Sequence, residues 1–106
     1  MAQILTYYVP EKFSRQMGCT SKELVSWLPR ALPQATLAID EARSCCRAGL
    51  TGSGVLILSW KTLEPTRIGL LNIPQLAVEF NYEGTSESTR IEVQRYFDMA
   101  TQRGGG

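Results

Sequence analysis

Residues 76–83, LAVEFNYE, alternate between apolar and polar side chains more regularly than any other part of the chain. Leu76, Val78, Phe80 and Tyr82 share one parity, and the other parity holds Ala77, Glu79, Asn81 and Glu83. Successive side chains of a β-strand point to opposite faces, so this pattern predicts a strand with one buried and one open face. Such a strand needs a sheet around it and a covering layer on one side.

Two further strands are predicted just before it. Residues 55–60, VLILSW, form a nearly continuous apolar run that is typical of a central strand, and residues 66–71, TRIGLL, form the next one. KTLEP and NIPQ are interpreted as the bends between these strands, because Pro74 cannot donate a hydrogen bond in a central ladder. Connections this short predict an antiparallel three-strand meander.

The segment before the meander is predicted to be one strand followed by helical structure. Residues 3–9 alternate as a strand does until Pro10, and residues 11–19 are interpreted as an irregular link. Thr20 and Glu23 form a capping box that opens a helix. Pro29 and Pro33 predict a kink or two short helices, of which the second covers residues 33–47.

A last helix is predicted over about residues 87–102, capped by Thr85 or Ser86. Its packing stripe is predicted to contain Val93, Tyr96, Phe97 and Ala100. The order is therefore β-α(-α)-β-β-β-α, an α+β fold of the two-layer sandwich class. We expect one domain over residues 1–102 and a flexible glycine-rich tail over residues 103–106.

Composition excludes several kinds of chemistry. The 106 residues include no histidine, so no imidazole-based metal site, catalytic triad or acid–base step can be built from this chain alone. Eleven basic and ten acidic residues leave a net charge of +1, which is too small to attract a polyanion strongly. The sequence therefore predicts no catalytic, cofactor-binding or metal-binding residues, and no cofactor or metal.

Three cysteines and the first residues indicate the compartment. An odd number of cysteines does not make a disulfide framework and fits a reducing cytoplasm. The start MAQILTYYVPEK has no basic leader and no hydrophobic signal core, and no apolar run is long enough to cross a bilayer. We therefore expect a cytoplasmic protein that does not act at a membrane. Cys45 and Cys46 are interpreted as small core residues on a helix, and Cys19 as the most exposed thiol.

The stretch RAGLTGSGVLILSW contains glycines at the spacing of a phosphate-binding loop, at Gly49 and Gly54. That loop needs a lysine and a hydroxyl residue next, where this chain has Val55 and Leu56. It also leads from a strand into a helix, whereas here a helix is predicted to come first. We therefore interpret the glycines as a connection that ends the second helix at Gly49 and enters the sheet.

These observations leave three hypotheses for function. The first is a non-catalytic module that works by protein–protein contact, as a homodimer or with another protein, because strand edges and apolar faces are present without a chemical constellation. The second is a nucleic-acid-binding domain, since three strands and a helix resemble double-stranded RNA-binding domains in outline. Its contacts would be Arg67, Arg90, Arg95 and Arg103. The third is a small-molecule or enzymatic pocket between the sheet and the helices.

Overall fold

The computed structural model describes residues 8–102. They form an α+β fold of five strands and two helices. In chain order these are β1 (Lys12–Met17), α1 (Ser21–Ala31), β2 (Thr36–Asp40), β3 (Cys45–Gly49), β4 (Val55–Ile68), β5 (Leu71–Glu83) and α2 (Glu87–Thr101).

The five strands form one antiparallel sheet in the order β1-β5-β4-β3-β2. The long hairpin of β4 and β5 lies at its centre, and β1 and β2 lie at its two edges. Both helices pack on the same face of the sheet. This follows from the core, in which the buried residues of the helices lie together with every second residue of the strands. That core contains Leu24 and Leu28 of α1, Phe97 of α2, and the predicted alternating set of β5.

The prediction of a second helix over residues 33–47 that ends at Gly49 is wrong. This segment forms the hairpin of β2 and β3, with Thr36 paired to Gly49 and Asp40 paired to Cys45. The Asp40 side chain accepts a hydrogen bond from the Arg43 backbone N–H at 3.1 Å, which closes the turn between the strands. The apolar residues in this short segment fit both the helical repeat of 3.6 residues and the strand repeat of two. The segment forms strands because β3 pairs with β4 of the central hairpin.

The predicted three-strand meander is also wrong, because β4 and β5 form one continuous hairpin. The pairing passes from Leu63↔Gln75 to Thr66↔Ile73, so two residues of β4 lie opposite Pro74 of β5. One of those two residues is Pro65. The bulge removes a ladder bond where both strands carry a proline, so the expected bends are a local irregularity within the hairpin.

The strand predicted over residues 3–9 lies mostly outside the described residues. Tyr8 and Val9 are described and are not in a strand. The segment interpreted as an irregular link instead supplies β1, which pairs with β5 from Lys12↔Asn81 to Met17↔Leu76. Phe13 stacks on Phe80 with a ring distance of 4.7 Å, so β1 is held by a cross-strand aromatic pair that alternation alone did not reveal.

Both helix starts agree with the sequence. The Thr20 side chain accepts from the Glu23 backbone N–H at 3.1 Å, and the Glu23 carboxylate accepts from the Thr20 N–H at 3.0 Å. The helix continues through Pro29 to Ala31, so the expected split at Pro29 does not occur. The cap of α2 is Ser86, whose hydroxyl accepts from the Thr89 N–H at 3.1 Å.

The glycine-containing loop connects two strands. Gly49 pairs with Val55, and the Leu50 N–H donates to the Gly54 carbonyl at 3.0 Å, so residues 50–54 form a hairpin connection. Gly54 has a φ of +89° and lies against the chain at Glu83 and Gly84, where a side chain would collide with backbone. The glycines therefore shape a close-packed turn between β3 and β4 instead of ending a helix.

Candidate interaction surfaces

The first candidate surface is the end of the central hairpin. We call residues 66–73, which lie beyond the bulge, the hairpin arm. The arm has no buried residue, since burial on β4 ends at Trp60 and resumes on β5 at Leu76. Large apolar side chains nevertheless occupy its tip: Ile68 is 58% exposed, Leu71 63%, and Leu70 is fully exposed.

The geometry of the arm holds these side chains outward. Ile68 pairs with Leu71 across a two-residue loop, and Gly69 in the first loop position has a φ of +60°. A glycine with positive φ at this position is the requirement of a tight type II′ hairpin turn. The turn and the flanking pairs keep three apolar side chains close together in solvent, where they contribute nothing to the core.

The second candidate surface is the outer edge of β2. Thr36, Ala38 and Asp40 are exposed, and Ile39 remains 36% exposed although its partner on β3, Cys46, is buried. The helices therefore cover the centre of the sheet and leave this end of its packed face partly uncovered. Within residues 8–102, β2 has a neighbouring strand on one side only.

The open face of the sheet is mostly polar. The side chains of Glu79, Asn81 and Glu83, which the sequence places on one face, alternate with the buried residues of β5. The Asn81 amide donates to the Glu83 carboxylate at 3.3 Å, so part of this stripe is paired within itself. It is a solvated face and gives no convergent site.

The arginines of the nucleic-acid hypothesis do not form one patch in the described residues. Arg67 lies on the hairpin arm and Arg95 on the surface of α2. Arg90 is largely buried: its Nε donates to the Val9 carbonyl at 2.9 Å and its Nη1 to the Thr85 carbonyl at 3.1 Å. That guanidinium ties the segment before β1 to the start of α2. Arg103 lies outside the described residues.

The cysteines are placed differently from the expectation. Cys19 is buried, so its interpretation as the most exposed thiol is wrong. Cys45 and Cys46 are neighbours on a strand and therefore point to opposite faces: Cys46 enters the core and Cys45 is half-buried on the open face. Burial raises the pKa of the Cys46 thiol, a backbone hydrogen bond at Ala38 opposes that shift, and Cys45 adds a smaller upward effect.

A buried polar network joins the sheet to α2. The Tyr82 hydroxyl donates to Gln94 Oε1 at 2.7 Å, and Gln94 Nε2 donates to Asp98 Oδ1 at 2.9 Å. The Asp98 carboxylate in turn accepts hydrogen bonds from both Nη atoms of Arg15, at 2.5 Å to Oδ1 and 3.2 Å to Oδ2. Gln94 is the buried polar residue of the described core, and the apolar-stripe pattern of α2 gave no signal for it.

A cleft of about 740 Å³ lies between β1 and the two helices. Arg15, Glu23 and Asp98 are the charged residues that line it. Arg15 and Asp98 pair with each other, and Glu23 is held by the capping box. The charged groups of this cleft therefore already serve the fold, and they do not converge on an unfilled position.

Residues 8–102 contain no group of three or more metal-ligating side chains that could hold an ion. No helix in that range is long and apolar enough to span a membrane. No protein-family model matches the chain, and no curated protein sequence matches it significantly.

Proposed function

We propose that this chain is a small non-catalytic module that works by protein–protein contact and forms a homodimer. The observation that carries the proposal is the hairpin arm, which presents Ile68, Leu70 and Leu71 together to solvent. Each such side chain stabilises a complex by about 1.5–3 kcal/mol when a partner covers it. A hairpin with three of them at its tip is suited to enter an apolar groove of another protein chain.

The state of the charged residues supports a non-catalytic role. In the cleft beside β1, Arg15 pairs with Asp98, and the Glu23 carboxylate accepts from the Thr20 N–H of its own capping box. Every buried side-chain polar atom of the described residues has a hydrogen-bond partner. A catalytic site usually has at least one buried polar group that is left to bind the substrate. The complete pairing of buried polar groups here therefore favours a structural role over a catalytic one.

The position of Arg90 favours protein contact over nucleic-acid binding. A phosphate contact needs an accessible guanidinium, whereas that of Arg90 is bonded to two backbone carbonyls of its own chain. We propose a reducing cytoplasm as the compartment, because none of the three cysteines, all within the described residues, forms a disulfide.

The arm is tested by placing a photo-reactive side chain at position 70 in cells, with position 72 of the same arm as the control. The expected result is a protein adduct at position 70 that is absent or weaker at position 72. The protein cross-linked at position 70 is then purified, and its affinity for this chain is measured. The wild type is compared with the triple variant Ile68→Thr, Leu70→Asn, Leu71→Thr and with the control Asn72→Thr. We expect the triple variant to bind more than about tenfold more weakly and the control to bind normally.

Two results would oppose the proposal. One is equal cross-linking at positions 70 and 72, which would show that the apolar tip has no preferred contact. The other is unchanged affinity of the triple variant in the purified pair. Self-association is measured separately, by sedimentation velocity from about 1 to 100 µM, where a monomer throughout would remove the homodimer.

A further inference from the structure

We infer that β2 pairs antiparallel with β2 of a second copy, across a twofold axis that passes beside Ala38. This inference rests on the proposed function to the extent that it requires self-association. The β2 edge is separate from the hairpin arm.

The hydrogen-bonding direction of each residue in β3 follows from two bonds. The Leu50 N–H donates to the Gly54 carbonyl, and the Trp60 N–H donates to the Ser44 carbonyl, both at 3.0 Å. In an antiparallel ladder these directions alternate along the strand. The even-numbered residues of β3 therefore bond to β4, and Cys45, Arg47 and Gly49 bond to β2.

The partners of those three residues on β2 are Asp40, Ala38 and Thr36. Their backbone groups point inward to β3, so the N–H and C=O groups of Leu37 and Ile39 point outward from the sheet. An edge strand with outward-pointing backbone groups is a template for another strand.

The two edges of the sheet differ in their protection. β1 carries Lys12 and Arg15, and the Arg15 guanidinium is bound to Asp98 of α2 beside that edge. The sequence of β2, TLAID, contains no lysine and no proline, and its one charge is at the end. Charged side chains and proline are the usual means of blocking an edge, so β2 is the less protected edge of the sheet formed by residues 8–102.

A twofold axis at Ala38 satisfies both the backbone and the side chains. It places Leu37 opposite Ile39 of the second copy twice, and these are the residues whose backbone groups point outward. Each pair can exchange both of its N–H···O=C bonds, while the two Ala38 residues form the close non-hydrogen-bonded pair on the axis. The half-exposed Ile39 then packs beside Leu37 of the second copy and extends the apolar layer under the helices.

The same register keeps the charges apart. Asp40 lies opposite Thr36 of the second copy, so the two Asp40 carboxylates are at opposite ends of the junction. A parallel in-register pair would instead place Asp40 beside Asp40, where like charges destabilise the pairing. Pairing β2 to β1 would join two different edges and would not close on itself. The antiparallel twofold arrangement therefore fits a second copy best.

A proline exchange tests the edge. Ile39→Pro removes an outward N–H and leaves the β2–β3 ladder intact. The matched control is Ser14→Pro on β1, whose N–H also points outward, because the Tyr82 N–H donates to the Glu11 carbonyl and fixes the alternation there. We expect Ile39→Pro to raise the dimer dissociation constant more than about tenfold in sedimentation velocity, and Ser14→Pro to leave it unchanged.

A cysteine exchange tests the register. Ala38→Cys, made in a Cys45→Ser background, brings two thiols together on the axis at a separation that suits a disulfide. Copper(II)–phenanthroline is the oxidant: two Cu(II) ions each accept one electron, the two thiol protons pass to solvent, and one S–S bond forms. We expect rapid covalent dimerisation with Ala38→Cys. Thr36→Cys, on the same strand and face, should give little covalent dimer, since its opposite residue is at position 40.

The results of these experiments distinguish the edge pairing from the homodimer and from the arm. A wild-type monomer up to about 100 µM overturns both the edge pairing and the homodimer, while the arm is judged by its own cross-linking. A dimer that resists Ile39→Pro and does not cross-link through Ala38→Cys overturns the edge pairing and leaves self-association standing. If Ile39→Pro does not fold, cross-linking at positions 38 and 36 decides alone: equal rates overturn the register and a strong preference for position 38 supports it.

Discussion

The Tyr82 hydroxyl donates a hydrogen bond of 2.7 Å to Gln94 Oε1 inside the core, and so joins the central strand β5 to helix α2. Both side chains are almost completely buried. A buried acceptor or donor that loses its partner pays its desolvation without compensation. This pair therefore fixes the helix on the sheet more specifically than apolar contact alone would.

Breaking this pair should destabilise the fold. Gln94→Leu leaves the Tyr82 hydroxyl without this acceptor, and we expect the unfolding free energy to fall by about 1–3 kcal/mol. Tyr82→Phe together with Gln94→Leu should cost less than the sum of the two single changes, because the double variant leaves neither group of the pair behind. Urea unfolding of the four proteins measures the coupling, and strict additivity would contradict it.

The two glycines of the β3–β4 connection should respond very differently to alanine. A Cβ at Gly54 would lie 2.7 Å from the carbonyl oxygens of Glu83 and Gly84, whereas a Cβ at Gly52 would have no atom within 4 Å. Both have positive φ, so conformational strain is common to the two variants. We expect Gly54→Ala to lose about 1–3 kcal/mol more unfolding free energy than Gly52→Ala. Equal losses by thermal or urea unfolding would show that the turn is not close-packed at Gly54.

Arg90 should act on stability and not on nucleic-acid affinity. Arg90→Ala removes the bonds to the Val9 and Thr85 carbonyls, so we expect a loss of about 1–3 kcal/mol of unfolding free energy. Arg67→Ala, on the exposed arm, should change stability by less than about 0.5 kcal/mol. Gel shifts at low salt complete the test. Binding of RNA or DNA that both substitutions abolish would revive the nucleic-acid hypothesis.

Thiol labelling should follow burial. Cys45 is half-buried on the open face of the sheet, while Cys19 and Cys46 are buried. We expect one thiol per chain to react quickly with a disulfide reagent such as DTNB in the native protein and three to react after denaturation. Cys45→Ser should remove the fast phase. A fast phase that persists in Cys45→Ser would contradict the placement of these residues.

Alkaline pH should weaken the contribution of Cys46. Its thiol has a pKa raised above the ordinary value of 9.0 by burial, so the folded chain holds that proton more tightly than the unfolded chain. The stabilisation is fully present below pH 9.0 and is lost as the pH rises through the raised pKa. The advantage of wild type over Cys46→Ala in unfolding free energy should therefore narrow above pH 9. A difference in unfolding free energy between wild type and Cys46→Ala that stays constant up to a pH of about 11 would contradict the prediction.

Local chemistry made several features of this fold readable in advance. The capping box of Thr20 and Glu23 uses groups three residues apart, and the start of α2 at Ser86 likewise depends on neighbouring residues. The alternation of residues 76–83 predicted which side of β5 is buried, because a strand with one covered face repeats every two residues. The hairpin arm was not foreseen, because residues 66–71 were predicted as a separate strand between two bends, whereas the turn lies at Gly69 and Leu70.

Contacts distant in sequence decided the rest. β3 pairs with β4 as well as with β2, and β1 pairs with β5, where Phe13 stacks on Phe80, more than sixty positions away. Gln94 is buried because Tyr82 supplies its partner. The sequence by itself determined the helix starts, the buried face of β5 and the lack of histidine chemistry, all of which depend on residue type or near neighbours. Only the tertiary structure decided which strands pair, which edge stays open and which apolar side chains are left in solvent, because those outcomes depend on which distant segments meet.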